Sequence, residues 1–315
     1  MQAVRQLLEH LRQESSKVIV GQEEFRDQCL VTLLCRGHAL LEGVPGVAKT
    51  LLVKTLSRIL GVDFQRVQCT SDLMPSDIIG TNVLNMATSN FNLHKGPVFT
   101  DLLLVDEINR MPPRTQAALL ECMEEYQVTI DGVRHQLSAK FSVFATQNPV
   151  EFEGTYPLPE AQLDRFLLKI RVPYPEAQHE VQILANVQNG FEAREVDQME
   201  LTLLPAELLS QAQQEVKSVR VEPALFNYIA QIARRTRDWP SLSLGASPRA
   251  AISLMVASRS VAAMDGRDYI IPDDVKTATP AVLRHRIVLK PEADLEGLTP
   301  DLIIADVLRA VEVPK

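Results

Sequence analysis

Val4, Leu7, Leu8 and Leu11 fall at i, i+3, i+4 and i+7, one apolar stripe of an amphipathic helix. The next apolar run, Val18-Ile19-Val20, closes on Gly21-Gln22, and helical spacing resumes through Phe25, Leu30, Leu33 and Leu34. The period then changes. Ala39-Leu40-Leu41 is continuous, Leu52, Thr55, Leu56 and Ile59 return to helical spacing, and Val62 to Gln68 alternates as a short strand. Leu102 to Val105 is apolar without a break and ends on Asp106-Glu107; Phe141 to Thr146 and Leu167 to Val172 are further strand-like runs. Unbroken runs suit strands covered on both faces of a parallel sheet. Pro173 and Pro175 mark a boundary, and from about Ala177 the pattern is mostly helical. Segments 205–216, 223–234, 248–264 and 272–289 each open on a proline, as first helical turns favour, and 302–311 follows. The expectation is an α/β fold, a parallel sheet sandwiched by helices over 1–176, followed by a smaller all-helical domain over 177–315.

Two stretches read as hairpins. Asn82 to His94 is weakly apolar on both faces around Thr88-Ser89-Asn90, and is expected to project from the domain. Tyr126 to Leu137 carries Asp131-Gly132 between two alternating runs, the strongest short-range hairpin signal. Between them, Pro112-Pro113 open a helix with Leu119, Leu120 and Met123 on one side. Leu158 to Phe166 reads as a short helix before the last strand.

Candidate chemistry sits where an apolar run meets a helix. Gly43-Val44-Pro45-Gly46-Val47-Ala48 turns between Leu41 and the helix that Lys49-Thr50-Leu51 begins. This is the layout of a phosphate-binding loop: backbone N–H groups converge at a helix N-terminus, Lys49 reaches the outer phosphates, and the Thr50 hydroxyl binds Mg²⁺. The usual pattern has glycine where this chain has Ala48, and alanine tolerates a positive φ poorly. Leu102 to Glu107 gives independent support. Asp106 would hold Mg²⁺ through water and Glu107 would polarise the attacking water, at the strand end where such sheets place ligands. The pair predicts binding of ATP or GTP. The Val18 to Gln22 segment, Val20-Gly21 above all, reads equally as a cover for the purine base and as a segment that only packs on the sheet.

A net charge of −8 over 315 residues argues against a global basic field for nucleic acid. The four cysteines form no CxxC pair and no metal spacing, and read as buried thiols in a reducing compartment, the cytoplasm by default. No apolar stretch approaches a membrane span, and the first residues carry no apolar signal core.

The motifs taken together resemble the AAA+ ATPases, and most closely the MoxR family. The resemblance runs through VIVGQ, LLEGVPGVAKT, SDLMPSDIIGT, GPVFTDLLLVDEINRMPPRTQAALLECMEEYQVTIDG, FATQNPVEFEGTYPLPEAQLDRF and GASPRA. Ala48 is then the family's own residue at that loop position. The resemblance implies a P-loop core with a small all-α lid, ATP and Mg²⁺ as ligands, and a ring, expected to be a hexamer. It assigns phosphate and Mg²⁺ to Lys49 and Thr50, metal support to Asp106 and water activation to Glu107. Asn148 matches sensor 1, although by itself it reads as a turn residue before Pro149. Arg165 matches an arginine finger reaching a neighbour's nucleotide, against an ordinary surface arginine. Arg249 matches sensor 2, acting in cis or in trans, against a plain helix-start charge. The two hairpins resemble inserts that related motors turn toward a central pore. Family partners carry von Willebrand factor A domains, which implies chaperone-like remodelling or maturation of protein complexes. Two other readings stay open: a nucleic-acid motor, and a slow nucleotide-gated scaffold.

Overall fold

The computed structural model describes residues 1–87, 89–149, 154–205 and 207–314. Thr88 of the first predicted turn, 150–153 after the sensor 1 position, and Ala206 lie outside them. The first half contains helices α1 (Gln2–Ser15), α2 (Glu23–Leu34), α3 (Lys49–Ile59), α4 (Pro75–Ile79), α5 (Pro113–Glu125) and α6 (Glu160–Leu163). Its strands are β1 (Ala39–Glu42), β2 (Phe64–Gln68), β3 (Gly80–Asn85), β4 (Asn90–Lys95), β5 (Leu102–Asp106), β6 (Gln127–Ile130), β7 (Val133–Gln136), β8 (Ser142–Gln147) and β9 (Leu168–Arg171). Five of these form one sheet in the order β2-β5-β8-β1-β9, and every pairing in it is parallel.

Strand alternation divides the core in two. Ala39, Leu41, Leu102, Leu104, Phe144, Leu168 and Ile170 join one apolar cluster with α1, α2 and α3. The residues between them, Leu40, Leu103, Val105, Val143 and Ala145, join a second cluster with Leu119, Leu120 and Met123 of α5. A period of two in strands covered on both faces forces this division. The helix stripe Val4, Leu7, Leu8 and Leu11 is buried as its spacing requires.

The C-terminal region is built from α7 (Ala177–Gln188), α8 (Leu208–Ser218), α9 (Pro223–Arg237), α10 (Pro248–Met264), α11 (Pro272–Leu283), α12 (Pro291–Leu295) and α13 (Pro300–Ala310). A small antiparallel pair, β10 (Leu242–Leu244) and β11 (Val288–Leu289), accompanies them. The helix expected over 272–289 therefore stops at Leu283. Its continuation, Arg284-His285-Arg286, turns to donate to backbone carbonyls of the first half.

These helices are fastened to the core. The first apolar cluster continues from the sheet through α1 into α8, α10 and α11. Glu215 of α8 accepts from Ala3 N at 3.1 Å and Val4 N at 3.0 Å, satisfying otherwise unpaired donors at the start of α1. Arg286, buried, donates to Asp164 Oδ1 at 2.6 Å and to the carbonyls of Phe166 and Leu167.

Both hairpins exist. β3 pairs β4 and β6 pairs β7. Asp131 and Gly132 take φ of 48° and 80°, as a two-residue hairpin turn demands. Asn82 Nδ2 donates to Asp131 Oδ2 at 2.8 Å, tying one hairpin to the other. Met86 is 84% and Phe91 70% exposed at the tip of β3–β4. Among the described residues, no helix is long and apolar enough to cross a membrane.

Candidate active site

The loop from Gly43 to Ala48 joins the C-terminal end of β1 to the first residue of α3. A side chain at position 43 would put its Cβ 2.6 Å from the carbonyl oxygen of Val172, so glycine alone lets the loop leave the sheet here. Ala48 takes the left-handed conformation, φ 61° and ψ 22°, which costs an L-residue about 1 kcal/mol. Its carbonyl accepts from Leu52 N at 2.9 Å, and its methyl packs on the apolar cluster, offsetting part of that cost.

Lys49 Nζ donates to the carbonyls of Gly43 and of Val44, the latter at 3.0 Å. Burial lowers its pKa, while the charges of Asp106 and Glu107 oppose that shift. Thr50 Oγ1 lies 3.3 and 3.4 Å from the two oxygens of Asp106. Asp106 ends β5 and is buried. It also accepts from Arg66 Nε at 2.6 Å and from Thr146 Oγ1 at 3.3 Å. Thr146 Oγ1 in turn accepts the backbone N–H of Glu107 at 2.8 Å. Glu107, left-handed at φ 59°, is met at Oε2 by Gln68 Nε2 at 3.2 Å and Arg110 Nε at 3.0 Å. Asn148 follows β8, is buried, and reaches the same edge of the sheet because β8 lies between β5 and β1.

Thr50 and Asp106 are hard oxygen donors at one spot, which fits Mg²⁺. Among the described residues, no group of three or more His, Cys, Asp or Glu is placed to hold a metal.

Beside the loop lies an apolar cavity of about 210 Å³. Ile19, Val20, Val47 and Leu51 line one side, and Ile183, Val187 and Phe191 of the α7 region the other. Gly46 and Ala48 also border it, so Val20 and the loop share one cavity. Gly21 does not line it: φ is 67°, and a Cβ there would fall 2.7 Å from His179 Nδ1. A cavity of about 360 Å³ between α2, α10 and α11 shares no residue with the loop and stands apart from this chemistry.

Arg165 and Arg249 are brought together, but not to the loop. Arg165 precedes β9, at the opposite edge of the sheet. Leu167 N bonds His38 O at that edge and Val172 N bonds Glu42 O at the loop edge. Five residue steps of parallel strand separate the two, about 16 Å at ~3.3 Å each. Arg249, in the first turn of α10, joins Arg165 there because both pair with Glu124.

Reasoning from sequence missed Arg66, Gln68, Thr146, Glu124 and the α7 wall of the cavity. Gln68 stands beside Asp106 in the β2–β5 register, a pairing that strand periodicity alone does not name.

Residues 38–168 match the model of the ATPase family associated with various cellular activities, and residues 234–307 match the AAA lid domain. The chain is 43% identical to "Chaperone MoxR1" of Mycobacterium tuberculosis, covering 96% of this chain and 81% of that one. It is 44% identical to the uncharacterized protein YeaC of Bacillus subtilis over 95% and 92% of the two chains. The chain belongs to the MoxR family of AAA+ ATPases. A crystallised protein from Cytophaga hutchinsonii, assigned as an ATPase, superposes with a TM-score of 0.90 at 41% identity, covering 99% of this chain and 96% of that one. This MoxR-family chain is thus a nucleotide-binding ATPase, with the sheet and loop of an AAA core and the helices of an AAA lid.

Proposed function

We propose that this chain hydrolyses ATP with Mg²⁺ in a ring, a hexamer by family expectation, whose sites are each completed by Arg165 and Arg249 of the next copy. The observation that carries this is the separation just described. A chain whose loop and arginines lie at opposite edges of one sheet cannot close both on one nucleotide, whereas neighbours in a ring can.

In this reading the base enters the apolar cavity beside Val20 and Leu51. Backbone N–H groups of residues 46 to 51 receive the phosphates at the start of α3. Lys49 exchanges two loop carbonyls for phosphate oxygens, and Thr50 with Asp106 would hold Mg²⁺. When bound, that ion draws charge from the phosphates. Glu107 takes the proton of the attacking water, and Asn148 orients that water. The neighbour's Arg165 and Arg249 stabilise charge as the γ-phosphoryl group leaves, a role worth roughly 10³ to 10⁵ in rate for an arginine finger. Loss of the γ-phosphate releases these contacts, and the lid and hairpins shift.

Chaperone-like work on partner protein complexes is supported by a relative's name, "Chaperone MoxR1"; von Willebrand factor A domain proteins are the partners that the family resemblance implies. The exposed apolar tip of β3–β4 (Met86, Phe91) favours polypeptide over nucleic acid as what the hairpins touch. Free thiols at all four cysteines accord with a reducing, cytoplasmic setting.

The test is ATP turnover against protein concentration, with and without Mg²⁺. Specific activity is expected to rise as subunits assemble and to vanish with chelator. Constant specific activity down to concentrations where light scattering shows monomers would refute the shared site.

A further inference from the structure

We propose that Glu124 is the positioning residue for both arginines, pairing the guanidinium groups of Arg165 and Arg249 and presenting them as one unit to a neighbouring copy's nucleotide. This rests on the reading that the two arginines act in trans.

The carboxylate divides itself between two elements. Oε2 accepts from Arg165 Nε at 2.7 Å, and Oε1 accepts from Arg249 Nη2 at 3.1 Å. Which nitrogens are used matters. With Nε engaged, the two Nη groups of Arg165 make no other hydrogen bond among the described residues. Arg249 likewise leaves its Nε and Nη1. Each guanidinium is gripped on one edge and offers its remaining donors, in the fixed fork that suits a phosphate. A carboxylate that sequestered them would take both donors of an edge.

Charge supports the same assignment. Two guanidinium groups this close repel, and one carboxylate between them removes that repulsion while leaving the cluster net positive. Both arginines act back on Glu124, Arg165 more strongly, and hold its carboxyl below the usual range. A net cation is what a leaving phosphoryl group requires of its surroundings.

The backbones are fixed separately. Asp164 accepts from Ser247 Oγ at 3.1 Å and from Arg286 Nε at 2.6 Å, which joins the residue before Arg165 to the helix that carries Arg249. Asp164 therefore holds the two segments together, and Glu124 sets the side chains. All three members of the Glu124 cluster are partly exposed, so the pairing contributes little to stability. Its consequence belongs to turnover.

The test is Glu124→Gln, which keeps the shape and removes the charge. We expect kcat to fall at least about tenfold, toward the ~10³ of losing a finger arginine, with KM for ATP within about twofold and Tm nearly unchanged. The decisive readout is complementation. Glu107→Gln keeps both arginines but lacks the base, so mixing it with Glu124→Gln should restore turnover, as it should for Arg165→Ala run in parallel. Wild-type kcat in Glu124→Gln overturns the proposal. So does an inactive Glu124→Gln that is not rescued while Arg165→Ala is. If Arg165→Ala is not rescued, the trans reading itself fails and takes this proposal with it. Should Glu124→Gln fold poorly, Glu124→Asp, too short to span both arginines, decides by the same mixture: rescue supports positioning, and full activity unaided refutes it.

Discussion

Arg66 Nε lies 2.6 Å from Asp106 Oδ2, so the buried carboxylate at the end of β5 already has a cationic partner on the edge strand β2. A buried acid left alone is costly, and Arg66, half exposed, offsets that cost from the solvent side. A Mg²⁺–nucleotide complex would bring positive charge of its own to the same acid. Arg66→Gln is therefore expected to destabilise the nucleotide-free protein by about 1 kcal/mol, discounted for the arginine's exposure. The rise in Tm on adding Mg²⁺–ADP over ADP alone should become larger than in wild type. An unchanged rise would mean that Arg66 and the metal do not share Asp106.

Ala48 holds a left-handed conformation at the point where most phosphate loops use glycine. Ala48→Gly relieves strain but frees the unfolded chain, and these effects oppose each other at about 0.4–1 kcal/mol each. Stability and nucleotide binding should stay near wild type. Ala48→Val puts a β-branched residue at positive φ and is expected to lose about 2 kcal/mol, with weaker nucleotide binding. Chemical denaturation and nucleotide titration of the two variants check this.

His38 couples folding to acid. Its ring accepts from Val143 N through Nδ1 at 3.0 Å and meets Met123 O through Nε2 at 3.0 Å, so it is satisfied only when neutral. Burial pushes its pKa from 6.5 down to about 4, opposed by the bond to Met123. Above pH 6.5 neither folded nor unfolded chain carries this proton, and the term is flat. Between pH 6.5 and 4 the unfolded chain binds a proton that the folded one refuses, so stability falls, by roughly 3 kcal/mol in all. His285, buried beside Arg286, shifts the same way. His38→Gln should be less stable at pH 7 but lose less on acidification. A slope equal to wild type would contradict the assignment.

Arg286 makes the junction between core and lid. It is buried and donates to Asp164, to the carbonyls of Phe166 and Leu167, and to Ser253 Oγ. Lysine cannot reproduce that fork. Arg286→Lys is expected to cost about 3 kcal/mol, as breaking a buried pair does. Limited proteolysis should then cut earlier near 164–171, and an undisturbed digestion pattern would count against the clamp.

The parts legible in the sequence were those set by local pattern. Leu102 to Val105, apolar without a break, lies in a fully buried strand that ends on Asp106, and Asp131-Gly132 makes the turn its residue types demand. Thr50 and Asp106, 56 positions apart, meet as the paired motifs implied. What was hidden depends on partners distant in the chain. The helix expected over 272–289 runs through Arg284-His285-Arg286, yet the chain turns there and His285 and Arg286 are buried because carbonyls beside β9 await their donors. Glu124 lies 41 residues from Arg165 and 125 from Arg249, and no spacing rule joins them. Strand order hid Arg66 and Gln68, since only the β2–β5 pairing brings them to the acidic strand end.

The central claim is that one copy's arginines serve another copy's nucleotide. Its most direct test is ATP hydrolysis by an equal mixture of Glu107→Gln and Arg165→Ala, each inactive alone. Partial recovery on mixing is the predicted result, because the first supplies the arginine and the second the base. A mixture no more active than its parts, or full activity in Arg165→Ala alone, would contradict the account and leave a site that works within a single chain.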